Sequence, residues 1–192
     1  MKLKSTGGID PIIDTEHKLI EAVGKGDAAA FETLIKRYRN SVVNFIYRYV
    51  GDRYSAEDLA QEVFLRVYSS AAGFEPKGKV STWVFKIAYN LSLNEISRRN
   101  KIRLLCDTKT GNGVEPVAQD SFECEELRES MMDHIRCLPE KQKAALLLRV
   151  NEELSYAEIA NILSSSVSGV ESLIFRAREN LRKMLAGKAG GC

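Results

Sequence analysis

Apolar positions along this chain step by three and four residues, the spacing of helices that bury one face, and no convincing alternating strand pattern appears. Phe31, Leu34, Ile35, Tyr38, Val42, Phe45, Ile46 and Tyr49 form the longest such stripe. Asp27 stands before it as an N-cap, and Gly51 after it as a stop. A shorter helix is predicted upstream over "TEHKLIEAV", closing near Gly24 and Gly26. Downstream, "SAEDLAQEVFLRVYSS" predicts a third helix, with Ser55 and Asp58 spaced as a capping box and acids in its first turn. Its core-facing positions are Leu59, Val63, Phe64 and Val67. The next stretch, "AAGFEPKGKVS", is punctuated by Gly and Pro and reads as a loop. Ser81 or Thr82 then opens a helix through "WVFKIAYNLSLNEISRRN".

Between about Ile102 and Glu125 the period is lost to Gly, Asn, Pro and Asp, which predicts a flexible linker. Pro139 suits the first position of the helix "PEKQKAALLLRV". In "LSYAEIANIL", Ser155 and Glu158 form a second capping box, and Leu154 can staple onto Ile159. The triplet "SSS" at 164–166 has the length of a helix-turn-helix connection, and an antiparallel helical hairpin would share the pattern. In the last helix Val167, Val170, Ile174, Ala177, Leu181 and Leu185 share one face, while Arg176, Arg178, Arg182 and Lys183 lie off it. The fold class is therefore all-α: two small helical domains, 15–101 and 126–186, joined by a flexible acidic linker over 102–125, with the helix-turn-helix in the second.

Charge sharpens this division. The net charge of +2 hides a basic block from Phe31 to Arg103, with 13 Lys/Arg against 7 Asp/Glu, and another from Glu171 to Lys188. An acidic stretch from Cys106 to Glu129 separates them. Two basic surfaces on either side of an acidic connector suit a polyanionic partner, and they equally suit solvated helix faces. The apolar runs are far too short to span a bilayer, and no secretory signal is expected. The four cysteines have no C-x-x-C spacing and read as reduced thiols of a cytoplasmic protein. His134, Cys137 and Cys124 lack the spacing of a zinc site, so no metal is expected, and without a phosphate-binding glycine loop or nucleophile motif neither is a cofactor or an enzymatic reaction.

The motifs "GDAAAFETLIKRY", "SAEDLAQEVFLRVY", "STWVFKIAYN" and "NEISRRNK", followed by "LPEKQKAALLLR" and "LSYAEIANIL…VESLIFRARENL", resemble regions two and four of bacterial RNA polymerase sigma factors of the extracytoplasmic-function group. The resemblance runs from about Leu19 to Leu185, and Ser55 to Tyr68 is its most specific piece. It implies a transcription initiation factor that binds core RNA polymerase and promoter DNA, does not insert in a membrane, and in many relatives answers to an anti-sigma factor. The alternative from the same residues is a helix-turn-helix regulator that acts outside the polymerase.

The resemblance also implies site residues. Glu57, Asp58, Gln61 and Glu62 would dock on the polymerase, although Glu57 and Asp58 also suit a helix N-terminus. Lys77, Lys79, Trp83, Asn90, Asn94, Arg98 and Arg99 would meet the minus-ten element and its melted non-template strand. Twelve of the 15 aromatic residues lie between Phe31 and Tyr89. Trp83, Phe85 and Tyr89 cannot all face DNA from one helix, so about one at most is expected to stack on a base. Ser168, Gly169, Glu171, Ser172, Arg176 and Arg178 would read the minus-thirty-five duplex. Ser164 stands where relatives often have Gly, and Glu171 and Leu173 where they often have basic residues. Glu171 can accept from cytosine or stabilise the helix start, but it cannot grip a phosphate.

Overall fold

The structure is a computed structural model that describes residues 11–75, 78–107 and 131–189, with side chains over 15–75, 78–102 and 131–186. All regular structure among the described residues is helical. The first unit comprises α1 (Pro11–Gly24), α2 (Ala28–Val50), α3 (Arg53–Ser70), a 3-10 turn (Ala71–Gly73) and α4 (Val80–Asp107). The second comprises helical residues 131–136 (α5), α6 (Glu140–Asn151), α7 (Tyr156–Leu163) and α8 (Val167–Ala189).

Local chemistry accounts for most boundaries. Asp27 caps α2 by accepting from the amides of Ala29 and Ala30, and Gly51 ends it in the left-handed conformation at φ 86°. Ser155 and Glu158 close the expected capping box on α7. Ser164, the helix-turn-helix position where glycine is commoner, takes φ 49°, a conformation that costs a β-carbon steric strain.

Three expectations are corrected. The cap of α3 is Asp52, whose carboxylate accepts from the Ser55 amide at 2.9 Å, so Ser55 and Asp58 make no capping box. Pro139 sits at the N-cap of α6 and not inside it. The fourth helix runs to Asp107, six residues beyond Lys101, where the sequence pattern lost its period. The remainder of the expected linker, 108–125, lies outside the described residues.

The stripe of α2 packs as its spacing requires: Leu34, Val42, Phe45 and Ile46 are fully buried, with Val63 and Val67 of α3 and Val84, Phe85 and Ala88 of α4. In the second unit Leu147, Leu148, Ile159, Ile162, Val170 and Ile174 do the same. The two units also pack on each other, α2 against α6 and α4 against α7. This seam is polar. Lys143 of α6 is only 4% exposed, pairs with Glu140 at 3.3 Å, and places its ammonium 4.7 Å from the centroid of the Tyr49 ring of α2. Arg48 of α2 hydrogen-bonds Asn151. Glu152 carries a raised pKa because burial outweighs the hydrogen bond from Ser41 and the charge of Arg48.

Candidate nucleic-acid interface

Three surfaces carry the candidate residues. The first is the outer face of α3, opposite the buried Ala56, Ala60, Val63 and Val67. Glu57, Asp58 and Gln61 are exposed there, with Glu57 3.5 Å from Arg53, while the partly exposed Glu62 holds Arg66 at 2.8 Å. The structure adds three residues that sequence reasoning missed. Tyr54 is 84% exposed and Leu65 63% exposed, and with Asp58, Gln61 and Tyr68 they follow the 4-3-4-3 spacing of one helix face. Exposed aromatic and aliphatic side chains aligned on one helix face are the residue types enriched at protein interfaces.

The second surface surrounds the start of α4. A cavity of about 320 Å³ lies between the 3-10 turn and α4, lined by Phe74, Gly78, Lys79, Thr82, Trp83 and Lys86, among others. That size is at the small end for ligand sites and suits one flat ring system. Trp83 is half-buried and stacks at a tilt on Phe74, with centroids 4.9 Å apart. Phe85 and Tyr89 are buried in the core, so Trp83 alone of the three is available to a base. The buried Thr82 hydroxyl has no hydrogen-bond partner among the described residues.

The second unit reaches this same place. Asn161 of α7 lines the cavity and accepts from Lys86 at 3.2 Å, and Glu158 pairs with Lys79 at 2.9 Å. Burial alone would raise the pKa of Glu158. Its hydrogen bonds with Ser155 and Lys79 outweigh that, and the carboxylate is held below its usual range.

The remaining minus-ten candidates divide. Asn90 and Asn94 are exposed farther along α4. Arg98 is bidentate to Glu95, at 2.8 and 2.9 Å, and its side chain is otherwise in solvent. Arg99 is tied into the fold: it donates to Glu95 at 2.7 Å, to Ser55, and to Asp52 at 3.5 Å, linking the start of α3 to the middle of α4. Lys77 lies outside the described residues.

The third surface is the exposed side of α8. Ser168, Glu171, Ser172, Arg176 and Arg178 all face solvent there, beside the buried Val170, Ile174 and Ala177. Gly169 has a packing reason of its own. Its amide donates to Ser166 Oγ at 3.0 Å, and a β-carbon would stand 2.6 Å from Ser165 Oγ. Phe175, 66% exposed between Ser172 and Arg178 on the same face, was not singled out from sequence. Its position one residue past Ile174 already places it outside the apolar stripe.

A chain whose described residues are helical, whose last helix pair is a helix-turn-helix with an arginine-bearing outer face, and whose first unit offers an exposed apolar and acidic helix face beside a cavity lined by Trp83 and lysines, has the features of a DNA-directed transcription protein. Residues 34–102 match the family model for Sigma-70 region 2, and residues 128–181 that for Sigma-70, region 4. The ECF RNA polymerase sigma factor SigW of Bacillus subtilis (strain 168) is 34% identical over 180 residues, which are 88% of this chain and 95% of the relative. CnrH, in complex with the cytosolic domain of CnrY, superposes with a TM-score of 0.70 at 20% identity, covering 91% of this chain and 99% of that one. The sigma factor RpoE of Bartonella quintana, in complex with the anti-sigma factor NepR, gives 0.66 at 20% identity over 81% and 96% of the two chains. These two likenesses concern the fold.

The chain belongs to the sigma-70 family of RNA polymerase sigma factors, in the extracytoplasmic-function group. It is a transcription initiation factor, and the reading as a helix-turn-helix regulator outside the polymerase is not favoured. Sigma factors as a family are non-enzymatic transcription factors. Among the described residues no helix is long and apolar enough to cross a membrane.

Proposed function

We propose that the chain joins core RNA polymerase in the cytoplasm through the outer face of α3, captures a base of the melted minus-ten strand in the cavity at the start of α4, and reads the minus-thirty-five duplex with α8. The domain division at 15–101, 102–125 and 126–186 belongs to this reading, with the first helical unit extended by the run of α4 to Asp107. The chain supplies no chemistry; it supplies position. One observation carries the proposal: a cavity sized for one ring, walled by Trp83 and rimmed by Lys79 and Lys86. A base can stack on the indole while the ammonium groups meet its phosphates.

The seam between the units has a place in the same mechanism. Roughly 25 base pairs separate the two promoter elements, about 85 Å at 3.4 Å per pair. A packed chain of 192 residues has a radius of gyration of about 16 Å. One molecule therefore reads both elements only after α7 leaves α4, which also releases Lys79 and Lys86 for DNA. An anti-sigma factor, such as RpoE has in NepR, is a partner that would act on this opening. The test is promoter melting by holoenzyme carrying Trp83→Ala, followed by permanganate reactivity of thymines. The proposal expects weakened melting with unchanged affinity for core polymerase; melting equal to that of the natural chain overturns it.

A further inference from the structure

The first helix lies wholly before residue 34, where the match to the region-two family model begins. It nonetheless packs behind residues that line the cavity, touching Phe74 and Gly78 through His17. Ile20 and Val23 anchor it in the core, and Glu16 fixes it to α2 by accepting from Tyr38 Oη at 2.6 Å and from Arg37 at 3.0 Å. At its far end Gly24 lies so close to the 3-10 turn that a β-carbon there would stand 3.0 Å from backbone atoms of Ala72. The helix is thus held firmly where it meets Ala71, Ala72 and Phe74.

His17 projects from this helix onto two residues of the cavity lining. Its Nε2 lies 2.8 Å from the carbonyl oxygen of Gly78, and since a carbonyl only accepts, Nε2 carries the proton. Its ring meets Phe74 at a tilt, with centroids 5.8 Å apart, and Phe74 in turn meets Trp83. One side chain therefore holds Phe74, which backs the stacking indole, and Gly78, which precedes Lys79 at the rim. We propose that His17 is a positioning residue for base selection: it clamps Phe74 and Gly78 so that the cavity keeps the shape that tells one minus-ten base from another. This rests on the reading of the cavity as a base site.

A wall fixed in this way lowers the cost of ordering the cavity around a base, and it excludes bases of the wrong outline. Loss of the clamp should therefore reduce the difference between bases more than it reduces binding as a whole. His17→Gln keeps a donor of similar reach without the ring, whereas His17→Ala removes both.

The experiment uses holoenzyme reconstituted from the full chain and core polymerase. Its probes are fork-junction DNAs carrying each of the four bases in turn at every unpaired minus-ten position. His17→Ala is expected to reduce the ratio of best to worst base at one position by roughly threefold to tenfold, the worth of one hydrogen bond. Affinity for core polymerase should stay within about twofold, and His17→Gln should recover part of the ratio. Lys79→Ala and Trp83→Ala serve as internal controls. If they lower the ratio and His17→Ala does not, the clamp is wrong and the base site stands. If His17→Ala weakens every probe equally, its role is only structural and the proposal is overturned. If none of the variants alters the ratio, the base site fails and the clamp fails with it.

Discussion

Replacing Leu65 by alanine tests the proposed docking of α3 on the polymerase. Full burial of a leucine side chain is worth about 1.5–3 kcal/mol. With 63% of Leu65 exposed in the free protein, roughly 1–2 kcal/mol remains to be gained at an interface. Leu65→Ala should therefore weaken the complex with core polymerase about 5- to 30-fold. The same exposure means that folding loses little: the change in stability should stay within about 0.5 kcal/mol, as for most surface substitutions. Competition against a labelled natural chain for core polymerase measures the first quantity, and a urea melt followed by circular dichroism measures the second. Asp58→Arg with Glu62→Arg should weaken docking again, by placing like charges at a basic partner, while the buried side of the helix is untouched. If Leu65→Ala competes as well as the natural chain, the stripe through Tyr54, Asp58, Gln61, Leu65 and Tyr68 is not the docking face.

Asp52→Ala removes the cap of α3 and the link to Arg99, and should cost about 1 kcal/mol of stability in urea melts. Hydrogen bonds from Ser55 hold the Asp52 carboxyl below its usual range, so this stability is fully present above about pH 4 and is lost as the pH falls through the depressed value; the two proteins should converge there. Arg176→Ala or Arg178→Ala should weaken duplex binding on every sequence and lower the salt slope by about one, whereas Glu171→Ala or Ser172→Ala should change which duplex is preferred. Equal losses on all sequences from both sets would refute that division. In a chain whose four cysteines are replaced by serine, joining Lys86→Cys to Asn161→Cys by a cleavable bismaleimide should abolish promoter-dependent transcription, and cleavage should return it to the level of the unjoined variant; equal activity in the joined and unjoined forms would show that the units need not separate.

What was legible in the sequence was local. Asp27, Gly51 and the Ser155–Glu158 box act within a few residues of themselves, and each fell where the pattern placed it. The cap of α3 was misread because Asp52 and Ser55 are both good caps three residues apart, and only the backbone decides between them. The end of α4 was misread because a helix outlasts its apolar period where nothing breaks it. Leu65 and Phe175 each follow a core residue directly, and a helical wheel would have turned both outward. Nothing local announces that Lys79 meets Glu158 or that His17 meets Gly78, because those pairs lie 79 and 61 residues apart and form only once the helices pack. The engagement of Arg99 with Asp52 and Ser55 was hidden for the same reason.

The central claim is that this chain directs core polymerase to promoters as one of its subunits. Run-off transcription on genomic fragments, with core polymerase alone, the chain alone, and the two together, tests it most directly when start sites are mapped. Discrete transcripts are expected only from the combination, with starts that share one element near minus ten and another near minus thirty-five. Transcripts that do not depend on the chain, or a chain that binds duplex DNA yet never co-purifies with the polymerase, would contradict it.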